Sequence, residues 1–236
     1  MARNVTLGEL IDDVRAEAGH SLQASLGVAM RDVLVKALQR QQRRLWEDHD
    51  WKFLRVHRDI VLNAGQRYYD LPNDLTLERI EKIEFKYGNR WVPVDYGIGQ
   101  PQYDQYDSDR DIRAIPTQRW QEYENDQIEL WPIPSSNGTT SPPNIVLRIW
   151  GIRKLRPLVA ESDRADLDDT LLVLFTAAEI LAREKGADAG IKLKLAEKHL
   201  LTLKGRTSKN DVFTLSGEPQ GLMPQGPKII AVQPQP

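Results

Sequence analysis

The chain has 236 residues, of which 40% are hydrophobic and 28% charged, and it contains no cysteine. The lack of cysteine excludes disulfides, thiolate nucleophiles and cysteine-held zinc or iron–sulfur centres. A formal net charge of -2 argues against broad wrapping of nucleic acid, and no apolar run reaches the roughly 20 residues of a membrane span.

Two helices are predicted at the start of the chain. Thr6 and Glu9 have the spacing of a capping box, and apolar residues follow at helical intervals as far as Gly19. A second amphipathic stripe extends from about Ser25 to Asp48. The two apolar stripes need a partner, because neither helix can bury its stripe alone.

From Trp51 the hydrophobic period changes from 3.6 to 2, which predicts strands. Turn residues divide the segment into three predicted hairpins: 51–62 with 67–71, 78–87 with 90–94, and 118–123 with 127–134. Residues 95–117 are predicted to form a loop with one short helix, and 145–153 to form a last strand.

Two more helices are predicted, at 170–182 and from residue 188 or 189 to Gly205. The order of helix pair, sheet, helix pair predicts an α+β fold. In it the N-terminal and C-terminal helix pairs form one bundle that carries an inserted antiparallel β domain. The predicted units are 1–50, 51–160, 161–205 and an extended C-terminal arm, 206–236.

Charge is unevenly distributed in the C-terminal helix pair. Residues 161–169 hold five carboxylates against one arginine, a net of -4, whereas residues 183–209 hold eight basic residues against three acidic ones, a net of +5. In a monomer these charges would satisfy helix ends; in a ring, one subunit's acidic face would meet the basic face of the next. The candidates for a subunit contact are Asp166, Asp168, Asp169, Lys192, Lys194 and Lys198.

No catalytic, metal or cofactor motif is found. The four histidines, His20, His49, His57 and His199, lie in separate predicted elements without a metal-ligand spacing. Carboxylate pairs are numerous and nothing singles one out. The aromatic residues Trp91, Trp120, Tyr103 and Tyr106 fit either sheet packing or a face that binds carbohydrate or protein.

Three stretches carry a family resemblance: Leu45–Leu54 with its Trp-x-Phe, Gly65–Asp74 with its Tyr-x-Leu-Pro turn, and Gln127–Pro134. They resemble tailed-phage head-to-tail adaptor proteins, in particular those of the tail tubular protein A type. By this resemblance one group of residues forms the junction of bundle and sheet: Trp46, Trp51, Phe53, Tyr69, Leu71 and Pro72.

The resemblance implies a structural virion protein, not an enzyme, that needs no cofactor or metal and contacts no membrane. Subunits of this kind, synthesised in the host cytoplasm, form a ring at the head–tail neck, typically of twelve copies. Genome DNA passes through the lumen, with the portal protein above and a tail nozzle or tail tube protein below. The arm would contact the portal through its apolar residues, Phe213, Leu215, Met223, Ile229, Ile230 and Val232. The alternatives are a carbohydrate- or receptor-binding module of the tail and a carboxylate-dependent glycan hydrolase.

Overall fold

The computed structural model describes residues 3–21, 28–107 and 110–208. The helices are α1 (Leu7–Glu17), α2 (Val28–Glu47), α3 (Gln100–Gln105), α4 (Asp169–Arg183) and α5 (Ala189–Ser208). The strands are β1 (Arg55–Val61), β2 (Tyr68–Asp70), β3 (Ile80–Tyr87), β4 (Arg90–Tyr96), β5 (Arg119–Tyr123), β6 (Gln127–Trp131), β7 (Thr139–Thr140), β8 (Pro143–Asn144) and β9 (Val146–Ile152). The α+β class predicted from the sequence is confirmed.

Helix α1 begins where its sequence predicts. The Thr6 hydroxyl accepts a hydrogen bond from the backbone N–H of Glu9 at 3.3 Å, and the Glu9 carboxylate accepts one from the N–H of Thr6 at 3.2 Å. This reciprocal pair satisfies two of the backbone donors that a helix start leaves open. The cap therefore determines that α1, the first helix of the bundle, begins at Leu7.

The four long helices share one hydrophobic core. Its fully buried residues come from α1, α2, α4 and the segments on either side of the sheet, and they include Leu10, Leu34, Leu38, Leu171 and Leu172. Helix α5 contributes only one buried side chain, Ala196, among its described residues. Both ends of the chain thus build the bundle, with the sheet inserted between them.

The sheet has the strand order β1-β9-β3-β4-β5-β6-β2. The second and third predicted hairpins are correct: β3 pairs with β4 through a turn in which Gly88 has φ 57°, and β5 pairs with β6. The first is wrong, because β1 pairs with β9 and β2 pairs with β6. The sheet is also mixed rather than antiparallel throughout, since β4 and β5 pair in parallel.

The sheet has a hydrophobic core of its own, which includes Leu62, Phe85, Ile128, Leu130 and Leu147. The predicted short helix between the second and third hairpins is present as α3, and it lies over a small third cluster of Ile98, Trp131 and Ile133. Within the described residues, no helix has the length and apolar character that crossing a bilayer requires. Residues 209–236, most of the predicted arm, lie outside the described residues.

Candidate assembly surfaces

The structure divides the six predicted junction residues into two groups. Trp51 is buried at 3% exposure in the bundle core, and its indole N–H donates to the carbonyl of Leu45 at 2.8 Å. Trp46 packs against the same core and donates to the carbonyl of Arg153 at 3.1 Å. Two of the six therefore lie where the bundle meets the sheet.

The other four residues are exposed or belong to the sheet. Phe53, expected to wedge between bundle and sheet, is 39% exposed, because the turn after Trp51 directs its ring to the surface beside the guanidinium of Arg3. Tyr69 and Leu71 pack into the sheet core, and the carbonyl of Pro72 accepts a hydrogen bond from the N–H of Leu75 in a local turn. Tyr69, Leu71 and Pro72 belong to the sheet because β2 pairs with β6.

Two arginines that the sequence analysis did not single out connect bundle and sheet. Arg79, at the start of β3, donates to the carbonyls of Trp46 and Glu47 at 2.9 Å each and to the Asp50 carboxylate at 2.6 Å. It thereby caps the C-terminus of α2, where a cation also complements the helix dipole. Arg153, just after β9, binds Asp166 with both terminal nitrogens, at 2.5 and 3.0 Å.

The predicted acidic contact residues are mostly engaged within the chain. The Asp166 side chain has 0% exposure, and besides Arg153 it accepts from the backbone N–H and the Nε of Arg156, both at 2.7 Å. Burial alone would raise the pKa of this carboxyl, but these hydrogen bonds outweigh it and hold the pKa below its ordinary value. Asp168 is also buried, caps α4 at the N–H of Leu171 and contacts His199 at 2.8 Å. The expectation that Asp166 and Asp168 form an exposed face is wrong, and only Asp169 is partly exposed.

The predicted basic residues are more accessible. Lys194 and Lys198 are exposed on α5, whereas Lys192 forms an ion pair with Glu17 of α1. Helix α5 also exposes large apolar side chains, among them Ile191 at 59% and Leu201 at 70%. Only part of the surface of α5 is used by its own bundle.

Helix α1 carries the acidic face that the sequence analysis sought in residues 161–169. Its outer surface holds Glu9, Asp12, Asp13 and Glu17, and Asp169 of α4 lies beside them. Burial and then the neighbouring carboxylates, Asp169 first, raise the pKa of Asp13. We call these five residues the acidic edge.

A groove of about 330 Å³ lies between α2, α4 and α5. Its lining is mainly apolar and includes Phe175, Ala178, Ala182, Ala189 and Leu193. The guanidinium of Arg44 lies 5.8 Å from the Phe175 ring centroid at its rim. Arg40 and Arg183 both bind the carboxylate of Glu179, which leaves this rim positively charged. We call this feature the α2–α5 groove.

The aromatic residues considered for carbohydrate binding are buried or half-buried against other side chains. Trp120 is buried, and Trp91 lies between the cations of Lys86 and Arg148. Tyr103 and Tyr106 pack against Trp131 and its neighbours. This packing does not provide the exposed aromatic platform that a sugar ring would need.

A buried polar cluster holds α3 on the sheet. Glu129 of β6 accepts hydrogen bonds from Arg67 at 2.7 Å, Tyr103 at 3.0 Å and Gln121 at 2.8 Å. Burial raises the pKa of Tyr103, and the adjacent Glu129 carboxylate adds to this effect. Across the described residues, no group of three or more potential ligand side chains is placed to hold a metal ion.

A protein-family model described as SU10 adaptor protein matches residues 5–210. The match begins just before α1 and ends just after α5, so it includes the whole bundle and the inserted sheet. No protein of curated function matches the chain significantly.

Proposed function

The chain belongs to the SU10 adaptor protein family, and from this we propose that it is a structural protein of a tailed-phage virion that connects the head to the tail. The observation that carries the proposal is the family match over nearly all of the described chain. The fold is compatible with it, because the candidate surfaces suit protein contacts and the four aromatic residues considered for carbohydrate binding are buried or half-buried.

We further propose that copies of the chain form a ring of the kind found in adaptors of the tail tubular protein A type, with twelve copies as the expected number. The ring would lie between the portal protein and a tail nozzle or tail tube protein, and its lumen would let DNA pass. A net charge of -2 supports passage, since basic lumen residues would add phosphate contacts that retain the DNA.

The test of the adaptor role is co-sedimentation of the purified chain with isolated portal rings, followed by electron-microscope class averages of the pelleted complex. We expect a ring of density at one end of the portal, whose rotational symmetry would give the copy number. Absence of the chain from the pellet, in the presence and absence of tail proteins, would contradict the portal contact.

The portal contact is assigned to residues 209–236, whose apolar side chains include Phe213, Met223 and Ile229. Because α5 extends to Ser208, truncation after this residue preserves every described helix. We expect the truncated chain to keep the circular dichroism spectrum and melting temperature of the full chain but to lose co-sedimentation with portal rings. Loss of the folded spectrum would show that these residues stabilise the fold instead.

A further inference from the structure

We propose that the α2–α5 groove of one copy receives the acidic edge of a second copy, in a head-to-tail contact between identical chains. This inference rests on the proposed adaptor function and identifies the surfaces by which neighbouring subunits would meet. The groove and the edge are different surfaces, so the contact is heterologous and each copy can bind two neighbours.

The first argument is geometric. At about 3.6 residues per turn, Thr170, Val173 and Leu174 fall on one side of α4, where they line a shallow pocket with Asp13 and Glu17. Phe175, Glu179 and Ala182 fall on the nearly opposite side and line the groove. The two surfaces therefore lie on different sides of α4, and the first turns of α5 lie between them, with Leu193 at the groove and Lys192 paired with Glu17 of the edge.

The second argument is charge. At the groove rim, Arg40 and Arg183 share one carboxylate, Glu179, and Arg44 is 60% exposed with Asp48 at 3.8 Å. The acidic edge has the opposite imbalance, because it holds five carboxylates and its ion pairs among the described residues are with two cations, Arg15 at Asp12 and Lys192 at Glu17. The pKa of Asp13 is raised by burial and by the carboxylates around it. Bringing the rim arginines of a second copy to this edge would relieve the repulsion among its carboxylates.

The third argument is the exposed apolar surface around the groove. Leu193, which is 41% exposed, borders the groove opposite the ring of Phe175 and the small side chains of Ala178 and Ala182. On the proposed partner surface the exposed residue among the carboxylates of α1 is the small Ala16. A small residue there lets the α1 ridge approach the groove closely, so that apolar area on both copies is buried.

The natural absence of cysteine permits a direct test by site-specific crosslinking. The variant Ala16→Cys/Leu193→Cys carries one thiol on each proposed surface, and both parent side chains are exposed or border solvent. A short bismaleimide should convert this variant into a ladder of covalent multimers on denaturing gels. Each single-cysteine variant should stay monomeric, because a head-to-tail contact never joins two copies of the same surface.

The matched control is Glu122→Cys/Leu193→Cys, in which one thiol is moved to an exposed position on β5. The yield of crosslinked multimers from this control, measured up to the highest concentration at which the protein is soluble, gives the contribution of random collisions. A ladder no stronger than this control would overturn the proposal. Equally strong dimers from a single-cysteine variant would also overturn it, since they would reveal a symmetric contact.

Charge reversal tests the pairing itself. In the crosslinking variant, Asp13→Lys should reduce the ladder several-fold, and adding Arg44→Glu to the same chain should restore it. The reversal Glu124→Lys, on the exposed turn after β5, should leave the ladder unchanged. Failure of the second reversal to rescue the first would argue against this pairing of surfaces.

The self-contact and the adaptor role can fail separately. Loss of the ladder while the wild-type chain still pellets with portal rings would overturn only the proposed subunit surfaces. A strong ladder without portal binding would instead contradict the adaptor role and leave the self-contact intact.

Discussion

Trp51 lies in the turn that connects α2 to β1, and its indole occupies the bundle core. The side chain also satisfies the carbonyl of Leu45 near the end of α2, so its removal leaves both a cavity and an unpaired acceptor. We expect Trp51→Ala to lower the free energy of unfolding by about 3–5 kcal/mol. Urea unfolding followed by circular dichroism measures this change.

The matched control is Phe53→Ala, two residues further along. The Phe53 ring is 39% exposed and contacts the Trp51 ring at a centroid distance of 5.7 Å. We expect a loss of about 1 kcal/mol or less, because little buried area is removed. Equal losses for the two variants would show that both rings stabilise the junction, as the sequence analysis predicted.

Asp166 is the buried charge on which the linker between β9 and α4 depends. Its pKa is below the ordinary value in the folded chain, so the ionised form stabilises the fold at pH values above the unfolded pKa of about 4. This contribution is lost as the pH falls through the lower, folded pKa. We expect Asp166→Asn to lower the free energy of unfolding by about 3–5 kcal/mol at pH 7, because Arg153 loses its counter-charge.

The pH dependence separates this effect from a packing defect. The difference in unfolding free energy between wild type and Asp166→Asn should shrink when urea titrations are repeated near pH 3. The control Glu81→Gln removes a partly exposed pair with Arg55 and should change stability by about 1 kcal/mol or less. A difference that stays constant with pH would mean that Asp166 acts through its shape rather than its charge.

At the level of elements, the sequence predicts what local chemistry determines. The cap at Thr6 and the two correct hairpins depend on residues within a few positions of each other, as at Gly88 and at Asn125, which has φ 59° in its turn. Strand β1 shows the limit, since its partner β9 follows only after the rest of the inserted segment. The hairpin rule favours the nearest strand, and nothing local in β1 indicates another partner.

The candidate surfaces show the same limit. The sequence shows that α5 is basic, and Lys194 and Lys198 are exposed as expected. It does not show that Asp166 is surrounded by arginines, because these contacts depend on how the linker folds back. The run of carboxylates in 161–169 therefore predicts an exposed face, whereas the acidic edge lies mainly on α1.

Helix α3 is too short to be stable alone, and its position depends on the cluster around Glu129. We expect Glu129→Gln to increase amide hydrogen exchange in residues 97–106 and to lower the unfolding free energy by up to about 3 kcal/mol, since Arg67 loses its counter-charge. Tyr103→Phe removes only one hydrogen bond and should cost about 1 kcal/mol. Unchanged exchange in both variants would show that apolar contacts with Trp131 hold α3 in place.

On the scale of the whole molecule, the two hydrophobic cores are joined by Ile152 at the end of β9, which is buried in the bundle core, and by a set of polar contacts. The backbone N–H of Lys154 donates to the carbonyl of Asp74 at 2.7 Å. The side chain of Arg153 binds Asp166, and its carbonyl accepts a hydrogen bond from the indole N–H of Trp46. Arg79, just before β3, makes a further bridge to the end of α2.

Arg79 allows this coupling to be tested. Its guanidinium lies 4.4 Å from the Trp46 ring centroid, and its side chain is only 15% exposed. Arg79→Ala leaves the end of α2 without its cap while both hydrophobic cores keep their buried residues. We expect the wild-type chain to unfold in one calorimetric transition, and the variant to show a bundle transition several degrees below that of the sheet. Arg90→Ala, an exposed arginine at the β3–β4 turn, is the control and should keep a single transition. A single transition in Arg79→Ala as well would mean that Arg153 and the backbone contacts are sufficient to couple bundle and sheet.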